Sequence, residues 1–173
     1  RSNDARGIWL GKRRYRGDLR VEIGANGLQV VNYLGIERYL SSVVGGEMPK
    51  DWPTQALQAQ AVAARTYALQ QKGKSGVFDV KSIEASQVYL GLESETVSGR
   101  EAVRKTRGLV LTHGGKLINA VFHSSSGGLT ESSGDVWKKQ MSYLVGVPDY
   151  DQNSPKQQWN LHFGTKKLRA ISP

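Results

Sequence analysis

Glu47 stands between a glycine pair and a rigid connector, in the run Gly45-Gly46-Glu47-Met48-Pro49-Lys50-Asp51-Trp52-Pro53. A carboxyl flanked by Gly46, Met48 and Trp52 is partly screened from water. Desolvation favours the proton-bearing form that a general acid must supply. The competing reading is a solvated charge in a loop, the ordinary state of a glutamate. Arg65 is a second candidate, the one charge within the apolar part of an alanine-rich segment. A guanidinium there must be paired, line a cleft, or snorkel off the edge of the core. Ser125-Ser126-Gly127-Gly128, with Thr130 and Glu131, is a third. Small residues let backbone N–H groups approach a ligand, and hydroxyls bond sugar hydroxyls, but such a run also makes a plain turn.

Other chemistries are poorly served. The chain has no cysteine, which excludes disulfides, thiolate nucleophiles and Cys-based zinc sites. Its three histidines, His113, His123 and His162, show no paired spacing, so no metal and no cofactor are expected. His123, Ser125 and Asp135 could be arranged as a hydrolase triad, yet no Gly-x-Ser-x-Gly elbow accompanies them. A net charge of +9 favours a polyanionic partner. The densest basic cluster, Lys12, Arg13, Arg14, Arg16 and Arg20, falls in hairpin strands and reads as a solvated face. With no helix-turn-helix, RNP or zinc-finger pattern, nucleic acid is not the expected partner. No run approaches the ~18–20 apolar residues of a membrane span, and nothing at the start resembles a signal peptide. The chain opens on Arg1, which suggests a mature form or a fragment, with any membrane attachment lying outside it.

The elements that must position these residues divide by period. Leu19, Val21 and Ile23 alternate with charged neighbours as in a half-buried strand, Asn26-Gly27 is a strong hairpin signal, and Leu28 to Leu34 returns. Ile36, Tyr39, Leu40, Val43 and Val44 then recur at helical spacing, with Gly45-Gly46 expected to end that helix. A second helix is predicted over about 54–71, with Pro53 in its first turn and Asp51 or Trp52 near its cap. It is apolar nearly all round, so it is expected to be buried as the spine of the domain. Ser98 to Glu101 has capping-box spacing and predicts a short helix to about Thr106. Leu109–Leu111 and Leu117–Phe122 suggest a hairpin around His113-Gly114-Gly115-Lys116. Beyond Ser124 loops dominate, with Trp137, Tyr143, Tyr150 and Trp159 as expected anchors and a final helix starting near Thr165. The fold expected is one α+β domain over residues 1–173. Mixed sheet and hairpins pack round the alanine helix, with room for a small second lobe.

Taken together, Tyr39-Leu40-x-x-Val43-Val44-Gly45-x-Glu47-Met48-Pro49-x-x-Trp52-Pro53 and the following Ala56-Leu57-x-Ala59-Gln60-Ala61-Val62-Ala63-Ala64-Arg65-Thr66-Tyr67-Ala68 closely resemble the signature of the SpoIID/LytB family. Gln87-x-Tyr89-x-Gly91, Thr106-x-Gly108, Phe122-His123-Ser124-Ser125-Ser126-Gly127-Gly128-x-Thr130-Glu131, Val136-Trp137 and Tyr143-Leu144 follow in the family's order. The resemblance runs from about residue 15 to 159. It implies a lytic transglycosylase acting on peptidoglycan glycan strands, in the best-known members strands stripped of stem peptides by an amidase. Other members are amidase enhancers. The implied catalytic carboxyl is Glu47. On the same motifs, Gln60, Arg65, Gln87, Tyr89, His123, Ser125, Ser126, Gly127, Thr130 and Glu131 are expected to bind substrate. Glu47, Arg65 and the Ser125–Glu131 loop are expected to face one cleft. Some members hold zinc through Cys and His near the Gln-x-Tyr motif. Ile83-Glu84-Ala85-Ser86 stands there in this chain, so the metal is not carried over. The resemblance also implies an extracytoplasmic place, in the cell wall or periplasm, with an N-acetylmuramoyl-L-alanine amidase as a possible partner.

Overall fold

The structure, a computed structural model, describes residues 6–24, 27–154, 160 and 162. The chain divides into two compact units, Arg1–Val121 and Phe122–Pro173. The expected final helix and Trp159 lie outside the described residues.

Among the described residues the first unit is α+β, with three separate two-stranded ladders, three α-helices and one 3-10 turn at Gly91–Ser94. β1 (Ile8–Leu10) pairs antiparallel with β2 (Arg13–Tyr15), and β3 (Asp18–Gly24) with β4 (Gly27–Tyr33), closing Gly24 against Gly27. The register places Val21 opposite Val30 and Ile23 opposite Leu28 on one face. The alternation therefore reads strands correctly, but that face is exposed (Ile23 is 89% accessible) where a half-buried strand was expected. β5 (Thr112–His113) and β6 (Lys116–Leu117) form a much shorter hairpin than the sequence suggested. Gly114 and Gly115 both take positive φ, 55° and 74°, as a tight primed turn requires.

The core is helical. α1 (Ile36–Glu47), α2 (Thr54–Gln71) and α3 (Val97–Lys105) bury Leu40, Val43 and Val44 against Leu57, Ala61, Ala64 and Ala68, with Ala102 and Val103 completing the cluster. Alanine on α2 lets the helices approach closely. α2 is not buried all round, however: Gln55 and Ala59 face solvent. Its cap is Pro53 itself, with helical backbone beginning at Thr54. α3 starts earlier than the Ser98 reading, because Thr96 accepts the Gly99 N–H at 3.0 Å and so caps the helix two residues upstream.

The glycine pair gives the most informative correction. α1 runs through Gly45 and Gly46 and ends at Glu47, with Met48 in extended backbone as its cap. Glycine inside a helix costs about 1 kcal/mol relative to alanine. Here that cost is offset by a close crossing: a Cβ on Gly45 would collide with the Ser94 carbonyl, and one on Gly46 would sit 2.9 Å from the Val88 carbonyl. The glycines are a contact surface for the segment 87–94.

Among the described residues the second unit holds one short helix, α4 (Ser133–Trp137), stopped by Lys138 at φ 58°. Its strand-like contacts are Leu129 bridging to Pro148 and Thr130 N–H donating to Val147 O. Trp137 (49% exposed) and Tyr150 (88% exposed) do not act as core anchors.

Candidate functional site

Glu47 is the last residue of α1, half-buried, and its Oε1 accepts the Val88 N–H at 2.7 Å. The crossing at Gly46 brings that amide within reach, so local backbone packing fixes one carboxylate oxygen. Among the described residues no bond to Oε2 occurs, leaving that oxygen for proton exchange with a bound group.

A buried polar network holds the 87–94 segment against α1. Tyr39 Oη donates to Gln87 Oε1 at 2.9 Å, while Gln87 Nε2 donates to Ala64 O at 3.2 Å. Ser42 Oγ accepts the Leu90 N–H at 3.2 Å, and Ser94 Oγ, 2.8 Å from Ser42 Oγ, also donates to Ser42 O. Tyr89 packs between Tyr39 and Tyr15, at ring separations of 5.2 and 5.8 Å, and donates to Asn32 Oδ1 at 2.6 Å. Burial pushes the Tyr39 phenol well above its usual range, reinforced by Tyr89, Glu47 and Tyr67. The Tyr89 phenol is likewise pushed up, again mainly by burial, with Tyr15 and Glu95 adding to it.

These contacts reassign three of the expected substrate ligands. Arg65 is 1% exposed and forms a bidentate pair with Glu37, at 2.9 and 2.8 Å, with further donation to the Leu109 and Val103 carbonyls. It faces no cleft; it joins α1, α2 and α3 from inside. Gln87 is fully buried and Tyr89 nearly so, both bonded within the protein. Their part is to position the segment that carries the Val88 amide. Gln60 differs, since its Nε2 is buried with no hydrogen-bond partner among the described residues.

In the second unit the Ser-Gly loop is organised by two carboxylates that the sequence reading missed. Asp151 Oδ2 accepts from Ser125 Oγ at 2.6 Å and from the amides of Ser126 and Gly127 at 2.8 and 3.0 Å. Ser126 Oγ donates to Asp149 Oδ2 at 2.8 Å. The Ser125 hydroxyl chiefly, helped by the Gly127 and Ser126 amides, holds the Asp151 carboxyl below its usual range against the opposing effect of desolvation. Ser125 spends its proton on Asp151, which leaves no sign of the histidine-activated hydroxyl a hydrolase triad needs. Thr130 Oγ1 is engaged with Val147, while His123 and Glu131 are exposed. Asp149 and Asp151 could have been suspected from the Asp-x-Asp spacing alone, but nothing in the sequence pointed them at the loop.

The zinc held by some family members does not fit. Residues 83–86 offer Glu84 as their only strong donor, and no group of three His, Cys, Asp or Glu gathers among the described residues. No described helix is long and apolar enough to cross a membrane.

Comparison with known proteins places this arrangement. Residues 24–113 match the family model described as stage II sporulation protein. The chain is 41% identical over 133 residues to an uncharacterized protein of Brachyspira hyodysenteriae, covering 75% of this chain and 36% of that one. It is 38% identical over 133 residues to the amidase enhancer of Bacillus subtilis, covering 77% and 18%. It is 31% identical over 146 residues to stage II sporulation protein D of the same organism, covering 74% and 43%. The chain thus spans less than half the length of these relatives.

Proposed function

Because this chain belongs to the stage II sporulation protein D family, we propose that it acts on the bacterial cell wall as a lytic transglycosylase, outside the cytoplasm, with Glu47 as its single catalytic carboxyl. Support comes from one geometry above all: Glu47 ends a helix with Oε1 bonded to the Val88 amide and Oε2 unbonded among the described residues. A hydrolytic glycosidase ordinarily needs two carboxyl groups flanking the scissile bond. A transglycosylase works with one. Glu47 gives its proton to the glycosidic oxygen as the bond to the muramyl anomeric carbon breaks. The carboxylate then takes the proton of the muramyl 6-hydroxyl as that oxygen closes on the same carbon. A 1,6-anhydro ring results, no water is consumed, and Glu47 ends protonated as it began. Glycan stripped of peptides carries free lactyl carboxylates, a partner suited to a chain of net charge +9.

The test is digestion of purified, peptide-stripped glycan followed by mass spectrometry. Products ending in 1,6-anhydro-muramic acid support the reading, and free reducing ends would replace it with hydrolysis. A second reading draws on the 38% identity to the amidase enhancer: a wall-binding module that stimulates an amidase without cutting glycan itself. In that case glycan remains intact while amidase turnover rises in the presence of this chain.

A further inference from the structure

A second basic feature lies on the first unit, away from Glu47. Arg38 and Ser41 of α1, Arg100 and Arg104 of α3, and Arg107 in the turn just after α3 surround a depression of about 240 Å³. Arg100 and Arg104, at i and i+4, share one side of α3, and Arg107 in the following turn lines the same depression. Arg38 and Glu47 are nine positions apart, about 14 Å along α1 and half a turn round it. The depression and the carboxyl therefore lie on different sides of that helix.

The arginines are only partly committed. Arg104 is held by Glu101 at 2.6 Å, and Arg100 reaches Glu95 only at 3.6 Å. Arg38 and Arg107 have no ion-pair partner among the described residues. Glu37, the acid in the depression, is already taken up by Arg65. Several guanidinium groups converging on one small space repel one another unless an anion joins them.

We propose that this depression binds phosphate groups of an anionic polymer in solution or in the wall. A carboxylate has two oxygens and is satisfied by one bidentate arginine. A phosphate presents more acceptors at wider angles and can be shared by several guanidinium forks. The rim also argues against a lipid surface. Its one apolar member, Val103, is 3% exposed, so nothing there can enter a bilayer.

The experiment uses the whole chain and dye-labelled inorganic polyphosphate, followed by fluorescence anisotropy near physiological salt. Arg38→Gln with Arg107→Gln should weaken binding roughly tenfold or more, since two charge-assisted contacts are lost. Lys12→Gln with Arg13→Gln removes the same charge elsewhere and should weaken it less than about threefold by screened net charge alone. Arg38→Lys with Arg107→Lys should fall between, keeping charge without the fork. All these side chains are exposed, and circular dichroism confirms folding of each variant. Equal losses in the two Gln pairs, or no polyphosphate binding by the wild type, would overturn the site. So would arginine-dependent binding to phosphatidylglycerol vesicles without binding to soluble polyphosphate. Glycan release should be unchanged in the Arg38/Arg107 variants, which separates this site from the reaction proposed for Glu47. A parallel fall in release would overturn that separation.

Discussion

The Glu47 carboxylate and the Val88 amide, 41 residues apart in sequence, meet at 2.7 Å because Gly46 leaves room for the Val88 carbonyl beside the last turn of α1. Carboxyl orientation is thus set by backbone crossing, with no second side chain among the described residues holding it.

Glu47→Gln keeps shape and can still accept the Val88 N–H, but it cannot give and recover a proton. Positioned acid–base catalysis contributes about 10²–10⁴-fold. Release of anhydro fragments should fall by at least that factor while binding to stripped glycan persists. Release at the wild-type rate would remove Glu47 from the mechanism.

The two glycines should separate by symptom. In Gly45→Ala the new methyl meets the Ser94 carbonyl, a backbone atom fixed by the Ser42 network. Overpacking of this kind costs about 1–3 kcal/mol, or ~2–4 °C in Tm per kcal/mol for a chain of this size. Gly46→Ala presses on Val88 directly and should lower kcat more than its Tm loss explains, with a changed pH profile. Equal kcat losses at equal Tm losses would mean that the crossing serves stability alone.

Arg65→Met tests the reassignment of that residue. Removing one partner of a fully buried pair costs about 3–5 kcal/mol, an upper limit here because the Glu37 left without its counter-charge is 28% exposed. Chemical denaturation should show that loss. A substrate ligand would instead raise KM and leave the unfolding midpoint in place.

Alkaline stability follows from the two buried phenols. Tyr39 and Tyr89 keep their protons in the folded state well above the ~10 of an unfolded tyrosine. Above that pH the unfolded chain binds fewer protons than the folded one, so unfolding becomes easier as pH rises. Their contribution is complete below ~10 and is lost progressively above it. Urea midpoints should fall between about pH 9 and pH 11, more steeply in wild type than in Tyr39→Phe. Parallel curves would show that these phenols are not linked to folding.

The sequence carried the helices well because their signals are local. Thr54–Gln71 was legible from its alanine run and Pro53, and the hairpin β3–β4 from its alternation. What it could not show were relations across distance. Gly45-Gly46 looks like a helix stop until Ser94 and Val88 are seen to lie against it. Arg65 looks like a cleft residue until Glu37, 28 positions earlier, closes on it. Gln87 and Tyr89 carry polar atoms that suit a ligand, and only packing reveals that Tyr39 and Asn32 already occupy them. Glu47 stood out because its neighbours are unusual, which is a local signal again.

Among the described residues the three ladders of the first unit are each two strands wide and none is joined to another. A lone two-stranded hairpin is at best marginally stable in water, so none of them can hold its own structure. Order must spread outward from the three-helix cluster, and amide hydrogen exchange should record this. Protection will be longest at Val43, Val44, Ala61 and Ala64, and shortest along β3 and β4 beyond the Leu19–Asn32 pair. The Ile23–Leu28 pair, which faces water, can therefore open without cost to the helix that carries Glu47.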